Sequence, residues 1–304
     1  MKKIISYISL YFKEVNKKTL LVATLITAAM IFCNYYFHAD HWINQHGFIL
    51  RFVYRSLVSL FAFAFPYCLC KIFTGRNYFS DSLFIFFLII AAVLFSLKMS
   101  LSLHFPISGE EQWDRYWNQV IYWPLRLIIV TGLLFAIWKK YFTGESFFGF
   151  TIQGFNWKPY AGMLLIMLPL IAAASTQHDF LNMYPKIKNI SPGIMNTPHS
   201  WVYKLLFELS YGSDFISIEL FFRGFLILAF IKWAGKDAIL PMACFYCTIH
   251  FGKPLGECIS SYFGGLLLGI VVYHTRSIFG GLIVHLGIAW LMEIGGYIGN
   301  AFLH

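Results

Sequence analysis

The sequence predicts an all-α, polytopic integral membrane protein of about eight to nine transmembrane helices, and three observations carry that prediction. Hydrophobic residues make up 59% of the chain and charged residues only 12%. The longer apolar runs match the roughly 20 helical residues that cross a hydrocarbon core of ~30 Å. Polar and apolar residues do not alternate within them, which excludes a transmembrane barrel built of short alternating strands.

Taken in order, the first 18 residues carry Lys2, Lys3, Lys13, Lys17 and Lys18. Within them Ile4 to Phe12 reads either as an interfacial amphipathic helix or as a solvated basic tail. Nine apolar runs follow: Thr19 to Phe37, Leu50 to Phe73, Ser82 to Leu103, Val120 to Trp138, Pro159 to Thr176, Phe215 to Trp233, Asp237 to Phe251, Ile259 to His274 and Gly280 to Phe302. The first is too long for a signal-peptide core and lacks a small-residue cleavage site, so it reads as an uncleaved span. The seventh and eighth are short enough to be half-buried or re-entrant. Basic residues gather at alternate ends of the spans, which places the N-terminus in the cytoplasm, as expected of a bacterial inner-membrane protein. The net charge of +9 then reflects topology and contact with anionic lipid, and nucleic-acid binding is an unnecessary explanation.

The chain divides at residues 177–200, an outer loop punctuated by Pro185, Pro192 and Pro198. Residues 1–18 are the basic N-terminal segment, 19–176 a bundle of five spans, and 201–304 a second transmembrane core. Arg55, Lys98 and Arg126 in the first bundle lie near span ends, within snorkelling reach of headgroups. Cys33, Cys68, Cys70, Cys244, Cys247 and Cys258 read mainly as packing residues. Cys244, Cys247 and His250, at i, i+3 and i+6, are compatible with zinc on one helix side, and His38, His41 and His46 form a histidine-rich outer loop.

Every carboxylate inside an apolar stretch lies in the last third: Glu208, Asp214, Glu219, Glu257 and Glu293, with His250 and His285 among them. A charge at membrane depth costs several kcal/mol unless paired or wetted, so such residues are functional candidates. Trp201 to Tyr211 reads as a short outer helix holding Glu208. It is followed by a break at Gly212 and a new helix capped by Ser213 or Asp214. Counted as helix from the nearest cytoplasmic basic flank, Glu219 and His250 both sit about 20 Å up, His285 roughly 14 Å, and Glu257 and Glu293 roughly 26 to 28 Å. His285, Ala289 and Glu293 follow one helical face. The stretch from His250 to Glu257 is rich in turn residues, and non-helical backbone at depth is tolerated only beside protein or water. Gly265 and Gly269, Gly280 and Gly281, and Gly295 and Gly299 allow close helix packing around it.

Two histidines and several carboxylates in a shielded cavity suit the activation of water, by general base catalysis or through a metal, and they equally suit proton-coupled transport. The order of residues separates these readings. Glu219-Leu-Phe-Phe-Arg223-Gly224, then Tyr246 with His250 four later, then His285, resembles the CAAX-protease and bacteriocin-processing (Abi) family. Its motifs are Glu-Glu-x-x-x-Arg, Phe-x-x-x-His and His-x-x-x-Asn on successive helices, and the resemblance covers about Trp201 to Leu303. It implies that Glu219 is the second glutamate of the pair, Arg223 its arginine, His250 the water-activating partner and His285 the residue on the oxyanion side.

Two positions depart from the pattern: Ile218 stands where the family has its first glutamate, and Ala289 where it has asparagine. Either the base has moved or the chain is inactive. Glu257, seven residues beyond His250, is the preferred replacement, with Glu293 the other candidate. The expected function is hydrolysis of a peptide bond in a membrane-associated protein or peptide. No cofactor is required, and a divalent metal such as zinc is admissible at His250, His285 and Glu257. The alternatives are an inactive scaffolding or assembly subunit of a membrane complex and a proton-coupled transporter.

Overall fold

The computed structural model describes residues 2–303, and among these it is built of helices without a strand. In chain order the helices are α1 (Lys2–Glu14), α2 (Lys17–Tyr36), α3 (Ala39–Asn44), α4 (Phe48–Thr74), α5 (Ser82–Ser100), α6 (Glu111–Tyr141) and α7 (Lys158–Ala174). There follow α8 (His178–Met183), α9 (Lys186–Ile190), α10 (Ser200–Glu219), a π-helix over Leu220–Ala229, α11 (Ile231–Ala234), α12 (Ile239–Thr248), α13 (Leu255–Thr275) and α14 (Phe279–Leu303). Among the described residues, α2, α4, α5, α6, α13 and α14 are long and apolar enough to cross a membrane. The protein is an all-α polytopic membrane protein. The apolar run 159–176 forms the 17-residue α7, and the run 237–251 forms the ten-residue α12 preceded by a 3-10 turn.

One expectation fails. Gly212, Ser213 and Asp214 do not break the chain: all three lie inside α10. A Cβ on Gly212 would come within 3.1 Å of the Trp290 ring, so glycine here admits α14 rather than ending a helix. Ser213 Oγ donates back to the Ser210 carbonyl, and Ser217 Oγ donates to both the carbonyl and the carboxylate of Asp214, so neither candidate cap acts as one. The regular α-helix stops only after Glu219, where a run that is apolar apart from Arg223 continues as π-helix, a rare form frequent at functional sites.

The chain forms two compact units, each drawn from separate stretches of sequence. One contains residues up to Leu101, Gly144–Thr151 and Phe221–Ile278. Its α1 is amphipathic, burying Ile4 and Tyr11 and stacking Tyr7 on His274 of α13 at 4.4 Å. Aromatic rings fill its core: Phe63, Phe84 and Phe230 meet at 5.0 to 5.5 Å, and Phe95 meets Phe222 at 4.7 Å. Gly265 and Gly269 of α13 lie against Ala243 and Met242 of α12, the close approach that small residues permit. Two of the bases read as snorkelling are also engaged: Arg55 pairs with Asp40 at 3.3 Å, and Lys98 lies 5.2 Å from the Phe95 ring.

Asp81 caps α5, accepting from the amides of Leu83 and Phe84, and also from Trp233 Nε1 at 2.8 Å. The Trp233 indole, and after it the Phe84 amide, hold this loop carboxyl below the usual carboxylate range. A carboxyl depressed in the folded state stabilises above its unfolded value and loses that contribution as pH falls through its folded value. Thermal unfolding in detergent across that acid range should therefore show a pH-dependent loss of stability that Asp81→Ala reduces.

The other unit contains Ser102–Thr143, Ile152–Leu220 and the chain from Phe279 onward. Tyr116, Trp123, Phe207, Tyr211 and Phe215 form its core with Ile187, Ile194 and Ala289. The 177–200 loop is ordered against this core: Ser191 Oγ donates to the Gln112 carbonyl, and Asn300 Nδ2 donates to the Tyr184 carbonyl. Gly296 makes the same contact possible, since a Cβ there would fall 2.5 Å from the Tyr184 backbone carbon and 2.7 Å from Pro185 N. Backbone cannot yield as a side chain does, so Gly296→Ala should cost about 1–3 kcal/mol of stability, read by thermal unfolding.

Candidate active site

The ionisable residues of the last third separate into two groups, one in each unit. In the unit containing α10 and α14, Glu219 is the last residue of α10 and is fully buried. His285, in the second turn of α14, donates from Nδ1 to Glu219 Oε1 at 2.8 Å. A carboxylate oxygen accepts, so Nδ1 carries the hydrogen of this bond. Phe215, one turn before Glu219, meets the imidazole edge to face at 4.7 Å and 85°. The carboxylate and this ring therefore fix the imidazole in both tautomer and tilt. A histidine 14% exposed beside a wholly buried carboxylate has the composition of a general base with its orienting acid.

Glu293, two turns beyond His285, accepts from the Lys186 backbone amide at 2.9 Å. That bond ties α14 to the 177–200 loop. Ala289, between the two, packs among Phe207, Tyr211 and Phe215 rather than offering a polar group. Glu208 lies well inside α10, and its backbone carbonyl accepts from Trp290 Nε1.

In the unit containing α12 and α13, Arg223 sits in the π-helix with its guanidinium 4.1 Å from the centre of the Tyr246 ring. The side chain is fully buried, which strengthens a cation–π contact relative to an exposed one. His250 follows the end of α12 and donates from Nδ1 to the Tyr246 carbonyl at 3.1 Å. Tyr246 therefore serves both: its ring carries Arg223 and its carbonyl orients His250. The role is foreshadowed by the i, i+4 spacing of Tyr246 and His250, whereas the stacking of Arg223 has no sequence signal.

The turn-rich stretch is a true interruption, with α12 ending at Thr248 and α13 beginning at Leu255. It is pinned from α2: Asn34 Nδ2 donates to the Phe251 carbonyl at 2.9 Å and the Tyr35 hydroxyl to the Lys253 carbonyl at 2.5 Å. Gly252 lets Asp40 approach, since a Cβ there would stand 2.9 Å from a carboxylate oxygen. Glu257, in the first turn of α13, is bridged to Lys253 at 3.1 Å. A cavity of about 220 Å³ opens beside the interruption, lined by Thr248, Ile249 and Phe251 together with Asp40, Arg55 and Phe95.

Among the described residues no three His, Cys, Asp or Glu side chains gather into a group able to hold a metal ion. Cys244 receives a hydrogen bond from Thr27 Oγ1. In and just after α3, His41 and His46 interact within their own helical turn, with Gln45 and the Trp42 carbonyl.

Residues 200–291 match a family model described as Type II CAAX prenyl endopeptidase Rce1-like. No curated protein and no solved structure matches the chain. The matched stretch takes in Glu219, Arg223, His250, Glu257 and His285, and it ends before Glu293.

Proposed function

We propose that this chain, a CAAX-protease family member through residues 200–291, is an intramembrane endopeptidase that cleaves a membrane-associated protein or peptide with water activated by His285 and Glu219. The observation that carries the reading is the 2.8 Å bond that orients the His285 imidazole on the fully buried Glu219 carboxylate. Nε2 of His285 takes a proton from water, and the resulting hydroxide attacks the substrate carbonyl. Glu219 stabilises the imidazolium so formed, and the same nitrogen returns the proton to the departing amine. The products are a carboxylate and an amine.

This assignment moves the base from Glu257, which is bridged to Lys253, to the Glu219–His285 pair. Arg223 and His250 hold the corresponding family motif positions, and on that ground are proposed to take part in the reaction. The test is a comparison of new protein termini in membranes containing the wild type, Glu219→Gln, His285→Ala or Glu257→Gln. Termini that vanish in the first two variants and persist in Glu257→Gln support the assignment. Termini that persist in Glu219→Gln and vanish in Glu257→Gln overturn it.

A second reading, an assembly subunit without activity, is favoured by one observation: Ala289 lies buried in an apolar cluster where the family motif has asparagine. That reading expects a membrane partner that co-purifies equally with the wild type and Glu219→Gln. It also expects no termini that depend on either residue.

A further inference from the structure

Cys247, in the last turn of α12, and Cys258, in the first turn of α13, bring their sulfurs to 4.0 Å. Both side chains are wholly shielded. Each thiol reaches past the other toward its backbone: Cys247 Sγ donates to the Cys258 carbonyl at 3.5 Å, and Cys258 Sγ lies 4.0 Å from the Cys247 carbonyl. A disulfide requires about 2.05 Å between sulfurs, so the two must close by roughly 2 Å. The residues between them supply the freedom, because they include the non-helical interruption from Ile249 to Pro254. The other cysteines are placed differently: Cys244 is bonded by Thr27, and Cys33 and Cys68 are exposed.

We propose that Cys247 and Cys258 are a reversible dithiol–disulfide site, oxidised by a hydroperoxide, whose closure clamps the interruption that carries His250. With hydrogen peroxide, one sulfur attacks a peroxide oxygen. An S–O bond forms, the O–O bond breaks, and water leaves behind a sulfenic acid. The second sulfur then attacks the first, forming S–S and breaking S–O, with the departing hydroxide taking up the remaining thiol proton as water. Two thiols lose two electrons and one peroxide gains them, giving one disulfide and two waters. A dithiol reductant reverses the step by exchange. Peroxide is small and uncharged, which suits two wholly buried thiols. The linkage itself stands on the thiol geometry, whereas an effect on cleavage rests on the proposed role of His250.

The test treats the full-length protein in membranes with hydrogen peroxide. Remaining thiols are then alkylated under denaturing conditions and unreduced peptides are mapped by mass spectrometry. The expected result is a peptide pair joined through Cys247 and Cys258 that a dithiol abolishes. Amide exchange across residues 249–254 should slow by about tenfold or more on oxidation, and Cys258→Ser should remove that slowing. Recovery of both cysteines alkylated, under peroxide that oxidises Cys33 and Cys68, would overturn the linkage without need of any variant. A linked pair with unchanged exchange would overturn the clamp. A linked and protected pair in a chain whose membranes yield no dependent termini would refute the protease reading and leave this site standing.

Discussion

Glu219→Gln should abolish cleavage, with a loss of about 10²–10⁴-fold, the range that a positioned proton-transfer group contributes. The amide is nearly isosteric, so packing at the end of α10 is preserved while the charge that stabilises the imidazolium is lost. A glutamine can also present its NH2 group toward the ring and reverse which nitrogen carries the hydrogen. His285→Ala removes the proton acceptor itself and should cost as much. Because the two act as one unit, the double variant should be no slower than either single variant, the non-additivity expected of a coupled pair. Rates of appearance of one identified fragment in the four forms complete the cycle. Additive losses would show that the residues act separately.

Arg223→Lys should destabilise the fold and fail to restore function, despite retaining the charge. The guanidinium is planar and stacks on Tyr246 at 4.1 Å, whereas an ammonium is compact, strongly hydrated and has no face to present. A desolvated cation–π contact is worth about 2 kcal/mol or more. Arg223→Met tests the alternative, since replacing a buried charge with an apolar side chain of similar length often costs less than leaving the charge badly placed. Thermal unfolding in detergent should rank the wild type above both variants. Tyr246→Leu should lower the wild type far more than it lowers Arg223→Met, because the stacked pair is already gone in that background.

The membrane character was legible from composition and run length, and so was the interruption after His250, where Gly252 and Pro254 interrupt a helical pattern. Amphipathic α1 was one of two readings left open for the basic N-terminal stretch, and Ile4, Tyr7 and Tyr11 settle it by packing inward. Which carboxylate serves which histidine was not legible, because Glu219 and His285 stand 66 positions apart on helices whose rotation no apolar periodicity records. Glu257 lies seven residues beyond His250 in sequence. Proximity along the chain also supplied Lys253, one helical turn away, to pair with it. Gly212 misled for a related reason. A glycine beside Ser213 and Asp214 has the composition of a helix boundary, and only the Trp290 ring packed over it reveals its use inside a helix. The π-helix had no signal, since Leu220 to Ala229 is apolar on all sides apart from Arg223 and so carries no period to distinguish one helical form from another.

The central claim is that water activated by the Glu219–His285 pair hydrolyses a peptide bond, and isotope-labelled water tests it most directly. Membranes containing the wild-type protein, incubated in 18O-water, should yield a fragment whose new C-terminal carboxylate carries the label, and membranes containing Glu219→Gln should not. A labelled terminus that forms equally in Glu219→Gln would contradict the account.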